Sequence, residues 1–126
     1  MKTIIDTNNA PAPIGPYSQT VAAGNFVFIS GQVALNPHSG ELVMDNIEAE
    51  TTQVMQNIES ILTEAGLDFD HIVKTSIFLK DMQDFAKVNE VYGKYFKDQF
   101  PARETIQVAG LPNNVNVEIS VIAVKS

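Results

Sequence analysis

Two side chains stand out by type and setting. Arg103 is the sole arginine of 126 residues, in a chain whose other cationic side chains are all lysine. A surface that needed only charge could use Lys, whereas a planar guanidinium grips a carboxylate or phosphate through two parallel hydrogen bonds. A structural ion pair with an acidic neighbour is the competing role. Glu118 lies inside Val117-Glu118-Ile119-Ser120-Val121-Ile122-Ala123-Val124, an otherwise apolar run. A carboxylate there is a solvated strand residue or sits in a pocket, where it must be paired or hold its proton more tightly. The second setting suits a group that moves protons. Thr105 shares the alternation face of Arg103. Guanidinium, hydroxyl and carboxylate together would bind a small carboxylic acid and position a water. No strong nucleophile accompanies them, because there is no Cys and neither His38 nor His71 is placed to activate a Ser or Thr. The same absences argue against a thiolate or zinc centre.

These residues need a scaffold. The breaker-rich stretch Asn8 to Pro16 reads as a stiff extended loop that presents Tyr17 and Ser18. Tyr17 to Ala22 and Phe26 to Ser30 read as strands around the Ala23-Gly24-Asn25 turn, with Gly31 at the strand end. Asp45 with Glu48 predicts a capping box for a first helix. Its apolar positions are Ile47, Thr51, Val54, Ile58, Ile61, Leu62 and Ala65, its wet face Glu50, Gln53, Asn57 and Glu64, and its stop Gly66. Ile72 to Leu79 is a strand. Asp81 is the expected cap of a second helix with the stripe Phe85, Val88, Tyr92 and Tyr95/Phe96; Asn89 reads as an ordinary polar position on it. Arg103 to Ala109 and Val115 to Val124 complete the chain. If these last two strands pair around Leu111 to Asn114, Arg103 and Glu118 come close.

The expected architecture is α+β: one domain over residues 1–126, with two helices on one face of an antiparallel or mixed sheet. The strands offer apolar residues to both sides, so the face without helices should be covered by other copies. Eight Lys and Arg against 15 Asp and Glu give a net charge of −7. An acidic chain without a basic cluster is a poor match for nucleic acid. No apolar run approaches the length of a membrane span, and Met1 to Asp6 reaches an acidic residue early for a signal-peptide core. A cytoplasmic protein is the expectation.

Four segments carry a resemblance: Ala10-Pro11-Ala12-Pro13-Ile14-Gly15-Pro16-Tyr17-Ser18-Gln19; Ser30-Gly31-Gln32; Val73-Lys74-Thr75 with Phe78 to Asp81; and Pro101-Ala102-Arg103 through Val117-Glu118-Ile119. In order and spacing they resemble the RidA/YjgF family of imine deaminases over nearly the whole length. The resemblance implies a chorismate mutase-like fold, a six-stranded sheet with two helices on one face, assembled as a homotrimer with a barrel-like core and clefts between subunits. It implies hydrolysis of 2-imino acids to 2-keto acids and ammonia with neither cofactor nor metal. Arg103 would hold the substrate carboxylate and Glu118 the attacking water. Ser30, Gly31, Tyr17, Asn89 and Thr105 would line the pocket. Thr105 stands where many relatives have Cys. Glu104 departs from the small or apolar residue usual after the arginine, and would either point away from the Arg103 face or pair with it. The alternatives are a non-enzymatic sensor of small carboxylates, which would need Arg103 but not Glu118, and a chaperone-like or RNA-directed interaction protein.

Overall fold

The computed structural model describes residues 1–126. Its strands are Lys2–Ile5 (β1), Thr20–Ala23 (β2), Phe26–Gln32 (β3), Ile72–Leu79 (β4), Ala102–Gln107 (β5) and Val117–Val124 (β6). The helices are Ile47–Glu64 (α1) and Phe85–Gly93 (α2). The strands form one mixed sheet in the order β1-β2-β3-β6-β4-β5. Every pair is antiparallel except β4–β5, which α2 joins as a parallel crossover. The sixth strand, β1, was absent from the element reading: its four residues are too short a run to show a period.

Alternation sorts the sheet into two faces. Val27, Ile29, Thr75, Ile77, Leu79, Val117, Ile119, Val121 and Ala123 are buried beneath the helices. Their neighbours in sequence point the other way, where no helix lies. There Phe26 is 47% exposed, Phe28 43% and Ile106 46%. Each large apolar side chain gains about 1.5–3 kcal/mol when fully buried. A second copy covering this face would gain several of these increments.

Helix α1 begins at Asn46, one residue later than the Asp45 box predicts; the Asn46 side chain accepts from the Ala49 N–H at 2.8 Å. It ends as expected at Gly66, whose φ of +76° lies in the left-handed region. Its supposed wet face is a correction. Glu50 and Asn57 are 0% and 1% exposed, because the segments just after β3 and just before β6 lie alongside the helix. The Glu50 carboxylate accepts from the Asn116 backbone N–H, the Asn116 side-chain amide and the Val117 N–H at 2.7, 2.8 and 3.1 Å. Asn57 donates to the carbonyls of Val33 and Leu35, both at 3.0 Å. Periodicity treats such residues as solvated; here each finds backbone partners. Asp81 caps a single 3₁₀ turn, Met82–Asp84, that leads into α2, rather than α2 itself. The core between the helices is closed by Phe69, Tyr92, Tyr95 and Phe96, with Tyr92 and Phe96 ring centroids 4.8 Å apart. Neither helix is long and apolar enough to cross a membrane.

Candidate functional site

Glu118 sits on β6 and faces away from the helices, opposite Phe78 of β4. Its other neighbour is irregular. Ile29 pairs with Val121 and Gln32 with Ile119, so β3 carries one extra residue at Ser30-Gly31. This bulge turns Gly31 onto the carboxylate. A Cβ at position 31 would stand 2.4 Å from Glu118 Oε2, so any side chain there would displace the carboxylate. Glu118 has no ion pair and accepts no hydrogen bond within the chain. Half-burial without a compensating charge pushes its carboxyl above the usual 4.5. Of the two settings the strand offers, solvated or in a pocket, the carboxylate has the pocket.

A cleft of about 400 Å³ opens over this carboxylate, lined by Ile14, Tyr17, Ser30, Gly31, Pro112 and Asn113 together with Val33. Four of the predicted residues, Tyr17, Ser30, Gly31 and Glu118, therefore meet within one chain. The proline-rich loop is fastened by a residue without an assigned role, Gln19. Its side chain accepts from the Thr7 N–H at 2.9 Å and donates to the carbonyls of Thr7 and Pro11. Ser30 Oγ donates to the Ser18 carbonyl at 2.6 Å, tying that loop to the bulge. On the far wall, Asn113 and Asn114 have φ of +56° and +55°, a left-handed pair that asparagine tolerates better than most residues. Glu50 clamps the segment directly after this turn, and Asn57 the segment after the bulge. One helix thus holds both walls.

Arg103 lies elsewhere. It pairs with Thr75, and Glu118 with Phe78, positions of opposite parity on β4. The two therefore point to opposite faces of the sheet. The expectation that β5 and β6 are neighbours fails, because β4 runs between them. A hairpin was the natural inference from a short connection, but the parallel β4–β5 crossover takes precedence. Within one chain Arg103 and Glu118 cannot share a cleft.

The Arg103 guanidinium rests on two aromatic rings of α2, 5.6 Å from the Phe85 centroid and 5.2 Å from that of Tyr92. Tyr92 is fixed by its hydroxyl, which donates to Thr75 Oγ1 at 2.9 Å, and burial pushes that phenol up. No carboxylate of the same chain pairs with the guanidinium. Glu104 does not pair with it either. It projects to the other face, accepting from Lys74 Nζ at 2.9 Å and from Ser76 Oγ. The Ser76 hydroxyl first, then the Lys74 ammonium, hold its carboxyl below the usual range. Thr105 lies on the Arg103 side, opposite Ile77, with a buried hydroxyl that has no partner. Asn89 stands one turn after Phe85 on α2. Arg103 and Thr105 thus share the helix side of the sheet, and Asn89 is carried by the helix on which the guanidinium rests. No group of three or more His, Asp or Glu is placed to hold a metal ion.

Known proteins resemble this chain over its full length. Residues 7–125 match the family model described as Endoribonuclease L-PSP. A relative from Lactococcus lactis named "Putative regulator AldR" is 53% identical over 120 residues, 95% of each chain. A mouse relative named 2-iminobutanoate/2-iminopropanoate deaminase is 48% identical over 125 residues, 99% of this chain and 93% of that one. A crystal structure from Thermotoga maritima, described as a "putative endoribonuclease", superposes with a TM-score of 0.97 at 47% identity, covering 100% of this chain and 99% of the other.

Proposed function

The chain belongs to the Endoribonuclease L-PSP family, the RidA/YjgF family of the sequence resemblance, and we propose that it hydrolyses small 2-imino acids to 2-keto acids and ammonia in clefts between the subunits of a homotrimer. The observation that carries this reading is the division of the site. An unpaired guanidinium and an unpaired, desolvated carboxylate stand on opposite faces of one sheet. A second copy that covers the apolar face and reaches round the open edge strand β5 would bring Glu118 of one subunit toward Arg103 of the next. The apolar residues left on that face support the same assembly.

The chemistry then follows from the side chains. Arg103 binds the substrate carboxylate bidentately, with Thr105 and Asn89 beside it. Tyr17, Ser30 and Gly31 wall the cleft and fix the imine carbon near Glu118. A water oxygen forms a bond to that carbon while Glu118 takes one of its protons. The proton passes to nitrogen to give the carbinolamine; Glu118 then takes the hydroxyl proton and returns it to the amine as the C–N bond breaks, so ammonia leaves and the keto acid remains. An imine is already electrophilic, so orientation and one placed base suffice and this route uses neither cofactor nor metal.

A carboxylate sensor is the competing reading, favoured by the regulator name of one relative. A sensor has no use for a desolvated, unpaired Glu118. The endoribonuclease name of the family is poorly matched by a net charge of −7 and a cleft without histidine. The proposed compartment is the cytoplasm, in keeping with a chain free of disulfides. The test is keto-acid release from 2-aminoacrylate or 2-aminocrotonate generated in place by a pyridoxal-dependent dehydratase. Wild type should accelerate release, and Arg103→Ala and Glu118→Gln should each abolish the acceleration. Absence of acceleration by folded wild type refutes the reading.

A further inference from the structure

A small chamber of about 40 Å³ adjoins the Glu118 cleft. The two spaces share Ile14, Tyr17, Gly31, Val33 and Asn113 as a common wall. The chamber is deeper, and Gln32 belongs to its lining. Gln32 is 5% exposed, and its Oε1 has no hydrogen-bond partner. The amide cannot simply be turned round to relieve this. Its Nε2 donates to the Ser30 carbonyl at 3.2 Å, and a flip would set two oxygens against each other. A buried acceptor left bare costs about 1–3 kcal/mol, so a partner is expected. The exposed Asn113 also lines the chamber and has its side-chain amide free of hydrogen bonds within the chain. A water needs about 10–15 Å³ and two or more polar partners. The chamber offers both.

Its place beside the cleft gives the water a use. The Glu118 carboxylate leans on Gly31, and Gln32 is the next residue along. Gly31, which has no side chain, lines both spaces. We infer that the chamber is a water-binding site, held by Gln32 and Asn113, that supplies the attacking water to Glu118 past Gly31. The supply role rests on the hydrolytic reading of the site; the water site itself does not. Gln32 is in this account a positioning residue, since it touches water rather than substrate.

The experiment pairs structure with kinetics. A high-resolution crystal structure of wild type should show an ordered water within hydrogen-bond distance of Gln32 Oε1, lost in Gln32→Leu. In imine hydrolysis Gln32→Leu should lower kcat about tenfold, the loss of one placed hydrogen bond, and leave KM unchanged. Pyruvate binding by calorimetry should match wild type, because the Arg103 half-site is untouched. Leu35→Phe, which fills the chamber from another wall without altering Gln32, should reproduce the fall in kcat. A chamber without ordered water, or Gln32 Oε1 found on a protein donor, overturns the site. Full kcat in both folded variants overturns the supply role. A water on Gln32 in a wild type that hydrolyses no imine would sustain the site and refute both the supply role and the hydrolytic reading.

Discussion

If each cleft takes its guanidinium from one subunit and its carboxylate from the next, two dead variants should repair each other. Arg103→Ala lacks the carboxylate anchor but keeps Glu118. Glu118→Gln lacks the base, worth about 10²–10⁴ in rate, but keeps Arg103. Each pure variant should sit at background. In mixed rings, a cleft is intact only when its Arg103 comes from a Glu118→Gln chain and its Glu118 from an Arg103→Ala chain. With equal, random mixing each condition is met half the time, so about one cleft in four is complete. The opposite-face geometry therefore predicts about 25% of wild-type activity after the variants are unfolded together and refolded, against background when they are refolded apart and combined. The assay is keto-acid release per subunit, with oligomer size checked by light scattering. A co-refolded sample of normal size that stays at background refutes the shared cleft. It would mean that both residues act from the same chain, which the parity of Thr75 and Phe78 on β4 forbids for direct contact.

Three further outcomes are expected. Glu50→Ala strips three donors of Asn116 and Val117 of their acceptor, at about 1–3 kcal/mol for each buried group left bare, and should lower the urea midpoint sharply; Glu50→Gln with Asn116→Asp, which exchanges amide and carboxylate, should recover most of the loss. Burial raises the Glu118 pKa above 4.5, so its contribution to stability is present below that value and lost as pH rises through the folded-state pKa; Glu118→Gln should match wild type in acid and be at least as stable at neutral pH, while the acid limb of wild-type kcat/KM lies above the ordinary carboxylate range. Gly31→Ala places a methyl group against Glu118 Oε2 and should lower kcat severely in a folded protein, whereas Ser30→Ala, which loses only the bond to the Ser18 carbonyl, should be milder.

Much of the fold was legible because local rules governed it. The β4 run, the turn at Gly24, the helix stop at Gly66 and the apolar stripe of α1 each follow from residues within one turn or one strand. Where partners are remote the same rules failed. Periodicity puts Glu50 in solvent, where an acidic residue on a helix usually lies; the Asn116 N–H that it accepts from is 66 positions away, just before β6. Asn57 was misread for the same reason. The one-residue shift from Asp45 to Asn46 is ordinary ambiguity between adjacent capping residues. Gln32 belongs to a segment that carries the resemblance, but nothing there marks it as a bare acceptor, since a buried orphan acceptor is a property of packing and not of sequence.

The functional site divides along the same line. Residue type alone singled out Arg103 and Glu118, a lone guanidinium and a carboxylate in an apolar strand. Their relation was not accessible in this way. Alternation assigns faces within a strand, but comparing two strands requires the register of everything between them. A hairpin of β5 and β6 would have made one chain sufficient. The interposed β4 makes it insufficient, and converts an apparent defect, a cation and a base that cannot meet, into an argument for assembly. The uncovered apolar face and the divided site then have one explanation. If the copy that buries Phe26, Phe28 and Ile106 also completes the cleft, loss of the oligomer should remove activity even where every site residue is intact.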